Sequence, residues 1–311
     1  MFNTPILFII FNRPKTTERV FTEIRKQKPK YLFIASDGPR DNNASDLDLC
    51  KQCRDIVAKI DWDCDVKTLF SAVNQGCKYA VSSAIAWFFT LVEAGIILED
   101  DCLPNGSFFN FCETLLTKYK DDKQVMMISG TSYQKKPLNN NSYYFSKYVH
   151  IWGWATWKRA WALYDRDIKG FENDVDPILK RNFNLTRERK QWLNNFNMIF
   201  NGLDTWDYQW MYCIWKNNGI AIIPWKNMIS NIGFGPGATH TLSIGSSQSE
   251  MQRFELEKII YPENIAVDKK ADRLERYSII IDRPFVYQKA KLFSNIKKIL
   301  KHTPLKKFFN Y

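Results

Sequence analysis

Apolar positions follow two rhythms along the first hundred residues. Short unbroken apolar runs at 6–11, 31–35 and 95–98 are the pattern of strands buried on both faces of a sheet, and 66–70 predicts one more strand. The stretches between them, at 16–26, 44–60 and 78–92, read as helices. Strand and helix alternating in this way predict a parallel sheet with right-handed crossovers. In such sheets the ligand sits beyond the carboxyl ends of the strands. Asn12, Asp37 and the triplet Glu99-Asp100-Asp101 all fall at those ends, so three separate loops are expected to converge on one place.

The second half is less regular. A helix near 106–111, a strand at 125–129 and an Asn-rich loop or hairpin at 138–146 are expected. The sequence Trp152-Gly153-Trp154-Ala155-Thr156-Trp157 is expected to lead into a helix whose first turn carries Lys158 and Arg159. Helices are predicted at 187–200 and 208–216 and a strand at 220–223, followed by a loop in which Gly233, Gly235 and Gly237 defeat regular structure. From Lys289 onward the chain is basic, with no acid.

With 311 residues and 36.7 kDa, the chain has room for one large α/β domain or two small ones. Hydrophobic residues at 45% and charged residues at 25% exclude a wholly disordered chain. Aromatics reach 15%, which fits a groove for a flat, polar ligand such as a sugar, although most rings belong to a core. The net charge of +11 points to a polyanionic partner or surface. The most apolar run, 84–92, is too short to cross a bilayer, and the N-terminus lacks the basic start and cleavage site of a signal peptide. Seven scattered cysteines make a disulfide framework unexpected. The Cys50/Cys53 pair has no second ligand pair to complete a zinc site, so packed helical thiols are expected.

Leu98-Glu99-Asp100-Asp101-Cys102-Leu103-Pro104 is the strongest local signal. Three adjacent carboxylates after a buried strand repel one another unless a cation or a donor network neutralises them. Oxygen-only ligation suits Mn²⁺ or Mg²⁺, while a solvated turn capping the next helix is the plain alternative. Asp37, in an Asp-Gly-Pro turn, is either ordinary turn chemistry or an acceptor for the N3–H of a uracil. Asn12, Arg13 and Arg40 are candidate phosphate or base contacts, or solvated surface. Gly76, in Asn74-Gln75-Gly76, either lets backbone approach a ligand or simply opens a helix.

Taken in order, Phe-Asn-Arg-Pro, Asp-Gly-Pro-Arg, Asn-x-Gly, Leu-Glu-Asp-Asp and Trp-Gly-Trp-Ala-Thr-Trp-Lys resemble bacterial sugar transferases of the GT-A fold. They are similar in order and spacing to the N-acetylglucosaminyltransferase I family, from about residue 4 to residue 241. The resemblance implies an α/β, Rossmann-like, mostly parallel sheet flanked by helices, and an inverting transfer of a sugar from a nucleotide donor, with UDP expected. It implies that Asp37 holds the uracil, Glu99 and Asp100 contact the donor's sugar and ribose, and Asp101 is the direct ligand of Mn²⁺ or Mg²⁺. The family's general base lies in a Trp-Asp-Asp-Trp segment. Here the corresponding stretch is Trp206-Asp207-Tyr208-Gln209-Trp210, one acid short, which leaves Asp207 as the matching carboxylate and Asp204 as its nearest competitor. An inverting transfer needs such a group to take the proton of the attacking hydroxyl, and the leaving diphosphate needs positive charge. His240, after the glycine-rich loop, is a candidate for a donor phosphate or the metal. Trp152, Trp154 and Trp206 are candidates for an acceptor-sugar platform, with helix packing as the alternative.

These readings divide the chain into a nucleotide-sugar-binding half at 1–104, an acceptor-binding and catalytic half at 105–286, and a basic amphipathic helical tail at 287–311. The expected partners are a nucleotide-sugar, a glycan or lipid-linked acceptor, and an anionic membrane surface on the inner, cytoplasmic face. Seven lysines follow residue 288, with Leu292, Phe293, Ile296, Ile299 and Leu300 at helical spacing, so the tail either lies on anionic lipid or packs on the domain. A sugar-phosphate nucleotidyltransferase would want a glycine-rich phosphate loop after the first strand, where Phe11-Asn12-Arg13-Pro14 has no glycine. A nucleic-acid-binding protein is prompted by the charge alone, and no recognition motif supports it.

Overall fold

The computed structural model describes residues 2–234 and 251–279. In chain order its elements are β1 (Ile6–Ile10), α1 (Pro14–Gln27), β2 (Tyr31–Ser36), α2 (Asp46–Val57), β3 (Asp65–Phe70), α3 (Gly76–Leu91) and β4 (Ala94–Glu99). There follow β5 (Cys102–Pro104), α4 (Gly106–Lys118), β6 (Val125–Ser129), β7 (Tyr143–Ser146), β8 (Trp154–Trp157), α5 (Lys158–Trp161), α6 (Phe171–Asn182) and α7 (Thr186–Phe200). The last are α8 (Asp207–Lys216), β9 (Ile220–Pro224), β10 (Ile229–Asn231) and α9 (Lys269–Ile279).

Alternation along β1 builds two cores. Leu7 and Ile9 join Phe33, Ile97 and the α3 residues Ala84, Ile85 and Phe88 in one apolar layer. Ile6, Phe8 and Ile10 join Leu32, Ile34, Leu98 and the helices α1 and α4 in the other. A pleated strand with helices on both faces must be apolar at every position, and this one is. The expected α/β architecture, a large sheet flanked by helices, is therefore present.

The sheet has eight strands in the order β3-β2-β1-β4-β8-β6-β9-β7. Its first four are parallel. β8 enters antiparallel between β4 and β6, β9 runs parallel to β6, and β7 closes the far edge antiparallel. β5 and β10 form a separate antiparallel ribbon. The chain winds outward from β1 through β2 to β3, then returns to the other side of β1 for β4. This is a topological switch, the place where open α/β sheets leave a crevice. Ile10 pairs with Ser36 and Ile9 with Glu99, so Arg13, Asp37 and Asp101 leave the sheet side by side. The sheet also runs on across position 104, since β4 pairs with β8.

Several expectations change. Residues 154–157 form an internal strand, fully buried, and only the four-residue α5 follows with Lys158 and Arg159. The helix expected near 106–111 runs on to Lys118. Of the expected hairpin at 138–146 only β7 is strand. The sequence reading missed α6, which carries Pro177 in its interior, a residue that ordinarily breaks helices. It also missed α9 and the three-residue strands β5 and β10, which are too short for any periodicity.

α9 is held by buried polar contacts. Ser146 donates its hydroxyl to Asp272 at 2.6 Å, Tyr144 donates to Glu275 at 3.1 Å, and His150 Nε2 lies 2.7 Å from the same carboxylate. The seven cysteines are free thiols. Burial pushes Cys50 and Cys53 up to about 11, as packed helical thiols should be. No helix among the described residues is long and apolar enough to cross a membrane. His240, most of the glycine-rich loop and the tail at 287–311 lie outside the described residues.

Candidate active site

A cavity of about 600 Å³ opens at the switch. Phe11 and Arg13 after β1, Ser36 and Asp37 at the end of β2, Phe70 and Ser71 at the end of β3, and Glu99 and Asp100 at the end of β4 line it. Gly76 and Cys77 from the start of α3, and Asp204, complete the wall. Three loops do converge there, as the strand pattern implied.

Two of the three acids in the triplet find a counter-charge within the chain. Arg13 pairs with Asp100, and its Nη1 donates to Asp101 Oδ2 at 2.9 Å. Asp100 is buried and also accepts Phe11 N–H at 3.1 Å. Burial, and next the charge of Asp101, raise Glu99 well above the ordinary carboxylate range. Asp100 is raised by burial against the pull of Arg13. Arg13, 87 and 88 positions away, thus supplies donors to Asp100 and Asp101.

Asp37 ties two loops together. It accepts Gly38 N–H at 2.8 Å, Asn74 Nδ2 at 2.9 Å and Gln75 N–H at 3.0 Å. Burial raises its pKa, and the backbone bonds from Gln75 and Gly38 oppose the rise. Arg40 and Asn12 meet on one residue the sequence reading passed over, Asp46 in the first turn of α2. Arg40 Nε donates to it at 2.6 Å and Asn12 Nδ2 at 2.8 Å. Its side chain has no solvent-exposed surface, and Arg40 holds its carboxyl below the usual range. Arg54 is a second omission. It donates to Ser36 Oγ, Asp37 O and Ser71 O, and its guanidinium lies 4.9 Å from the Phe70 ring centroid. An acid or base inside a polar helix carries no sequence signal that separates it from solvated surface.

Gly76 has φ +78, and a Cβ there would stand 2.7 Å from Asp204 Oδ2. The close approach expected of this glycine is therefore made by the protein's own carboxylate. Asp207 begins α8, accepts the Thr205 hydroxyl, and adds to the charges that raise Glu99. It is thus brought to the triplet from 106 positions beyond Asp101.

The aromatic expectations are corrected. Trp154 is fully buried and Trp206 is 2% exposed, the two rings stacked with centroids 5.7 Å apart. Trp161 and Trp210 close the cluster. An acceptor platform must be reachable, so these two rings pack the core instead. Trp152 is half-buried, edge-on to Tyr133 and to Phe234 at the start of the glycine-rich loop.

Among the described residues no three His, Cys, Asp or Glu side chains cage a metal unaided. Asp101 has the donor type a hard cation takes, although Oδ2 carries Arg13 and Oδ1 accepts the Cys102 thiol at 3.4 Å. Its side chain is 14% exposed against 2% for Asp100, and its donors are oxygens. The neighbouring Cys102 thiol is kept protonated by burial.

No protein-family model and no curated protein matches the chain. Solved structures are similar over part of it. TarS residues 1–349 of S. aureus has a TM-score of 0.34 and 10% identity, covering 56% of this chain and 54% of that one. Mouse xyloside xylosyltransferase 1 in its apo form has a TM-score of 0.32 and 8% identity, covering 68% and 81%. The 4-diphosphocytidyl-2C-methyl-D-erythritol synthase of Anaerococcus prevotii has a TM-score of 0.30 and 11% identity, covering 53% and 77%. Likeness at this level assigns neither family nor activity.

Proposed function

We propose that this chain is a metal-dependent, inverting glycosyltransferase of the GT-A type, moving a sugar from a UDP-sugar to a hydroxyl of a bacterial surface glycan. One observation carries the reading. Arg13, Asp37, Glu99 and Asp100 line one cavity at the switch point of an α/β sheet, and Asp101 and Asp207 stand close enough to Glu99 for their charges to raise it. The ordered motifs that resemble those of the N-acetylglucosaminyltransferase I family support the same roles.

In this reading Asp37 accepts from the base, Glu99 and Asp100 contact the donor's sugar and ribose, and Arg13, Asn12 and Arg40 face the nucleotide. Asp101 would hold Mn²⁺ or Mg²⁺, which supplies positive charge for the leaving diphosphate. Asp207 takes the proton of the acceptor hydroxyl. As that oxygen bonds the anomeric carbon, the bond from that carbon to the diphosphate oxygen breaks on the opposite face, and the configuration inverts. Trp152 is the remaining candidate for stacking an acceptor sugar, and His240 for closing over the diphosphate. The lysine-rich tail supports a place on anionic lipid at the inner membrane face, beside a lipid-linked acceptor.

A thermal-shift screen of nucleotide-sugars with and without Mn²⁺ tests the reading, because a ligand of the native state raises the melting temperature by mass action. Mn²⁺-dependent stabilisation by UDP-sugars, lost in Asp101→Ala without loss of the fold, is expected. Full binding and transfer by Asp101→Ala in chelator would refute the metal.

A further inference from the structure

Two carboxylates from distant parts of the chain hold the backbone donors of a single turn. Gln75 N–H donates to both oxygens of Asp37, at 3.0 and 3.1 Å. Cys77 and Lys78 N–H donate to Oδ2 and Oδ1 of Asp204, at 2.8 and 2.7 Å. The amides of Cys77 and Lys78 belong to the first turn of α3, which has no intrahelical partner for them. The helix's own preceding residue, Gln75, makes no side-chain cap. Asp204 therefore caps α3 from 126 and 127 positions away, with its charge at the favourable end of the helix dipole. Gly76 leaves the space for it.

The tie is reinforced along the same face. Lys78 Nζ lies 3.0 Å from Asp167, and Arg166 donates to the Ser82 and Ser83 hydroxyls at 2.9 Å each. On the other side of Asp204 the chain is stiff. Thr205 donates its hydroxyl to Asp207 and its carbonyl accepts Gln209 Nε2 at 2.7 Å, while Trp206 is packed against Trp154. Asp204 and Asp207 are thus two ends of one short, well-supported segment. One end is bonded to the wall of the donor cavity and the other carries the proposed base.

We infer that Asp204 is a positioning residue for Asp207. By holding α3 at Cys77 and Lys78 it sets where Asp207 stands relative to a donor lodged beyond Asp37 and Gly76, an inference that rests on the proposed reaction. A group that only capped a surface helix would influence stability and leave the chemical step alone. Misplacement of a reacting group by about 1 Å costs on the order of 10²-fold in rate.

The test uses the full chain with Asp204→Ala and the milder Asp204→Asn, each alone and combined with Asp207→Asn. Asp204→Ala should lower kcat on the order of 10²-fold, and Asp204→Asn less, since it keeps one accepting oxygen. Because Asp204 also lines the cavity, kcat is read at saturating donor and UDP affinity is followed separately by calorimetry. In the Asp207→Asn background Asp204→Ala should add no further loss, because residues acting as a unit are not additive. Amide hydrogen exchange at Cys77 and Lys78 reads the tie without turnover and should quicken in both variants. An equal loss of kcat in both backgrounds, or unchanged exchange in an active enzyme, overturns the inference alone. A wild type that binds no nucleotide overturns the functional reading and the inference with it.

Discussion

Arg13 Nη1 lies 2.9 Å from Asp101 Oδ2, and the same guanidinium pairs with the buried Asp100. The acid proposed to hold a divalent cation is thus already held by a cation of the protein. Removing one partner of a buried pair leaves an uncompensated charge, at a cost of about 3–5 kcal/mol. Arg13→Ala should therefore lower the melting temperature sharply, and Mn²⁺ without nucleotide should restore part of the loss. A variant as stable as wild type, or indifferent to Mn²⁺, would show that the triplet needs no counter-charge.

The proton acceptor is tested by shape-preserving substitution. Asp207→Asn should lower kcat by roughly 10²–10⁴-fold, the usual contribution of general-base catalysis, with UDP affinity unchanged because the base faces the acceptor. Single-turnover rates and calorimetric UDP titration separate the two effects. If Asp207→Asn retains full kcat, Asp207 is not the base.

Stability should depend on pH through α9. Burial pushes Asp272 up to about 6, opposed by the bonds from Ser146 and Lys147. The folded protein then binds this proton more tightly than the unfolded chain, so the contribution of Asp272 to stability falls as pH rises from about 4 to about 6. Melting temperatures measured across that range should lose this component of their slope in Asp272→Asn. An identical slope in the variant would place the titration elsewhere, in Glu188, which burial also raises.

The basic tail can be tested apart from α9. A chain ending at Tyr287 keeps Asp272 and Glu275 and their buried partners, so it should stay folded and bind donor. It should also lose co-sedimentation with anionic vesicles, since each lysine near such a surface contributes about 1 kcal/mol. If the shortened chain unfolds, or the full chain ignores vesicles at low salt, the tail packs on the domain instead.

The sequence by itself determined the parallel half of the sheet and the place of the site. A strand buried on both faces must be apolar throughout, and in a parallel sheet every such run ends on the same side, so the polar residues after 11, 36 and 98 had to meet. Local chemistry was legible for the same reason. An acidic triplet at a strand end demands neutralisation whatever surrounds it.

Tertiary structure alone decided who supplies that neutralisation and which rings are reachable. Arg13 was an open candidate until β1 and β4 were seen as neighbours, and Asp204 looked like a rival base until its oxygens were found on the amides of Cys77 and Lys78. Trp154 and Trp206 are as amphipathic as Trp152, yet one stacked contact puts the first two in the core. Composition and spacing act over a few residues, whereas burial and pairing are set by contacts between segments 34 to 127 positions apart. Only the packed sheet brings those segments together.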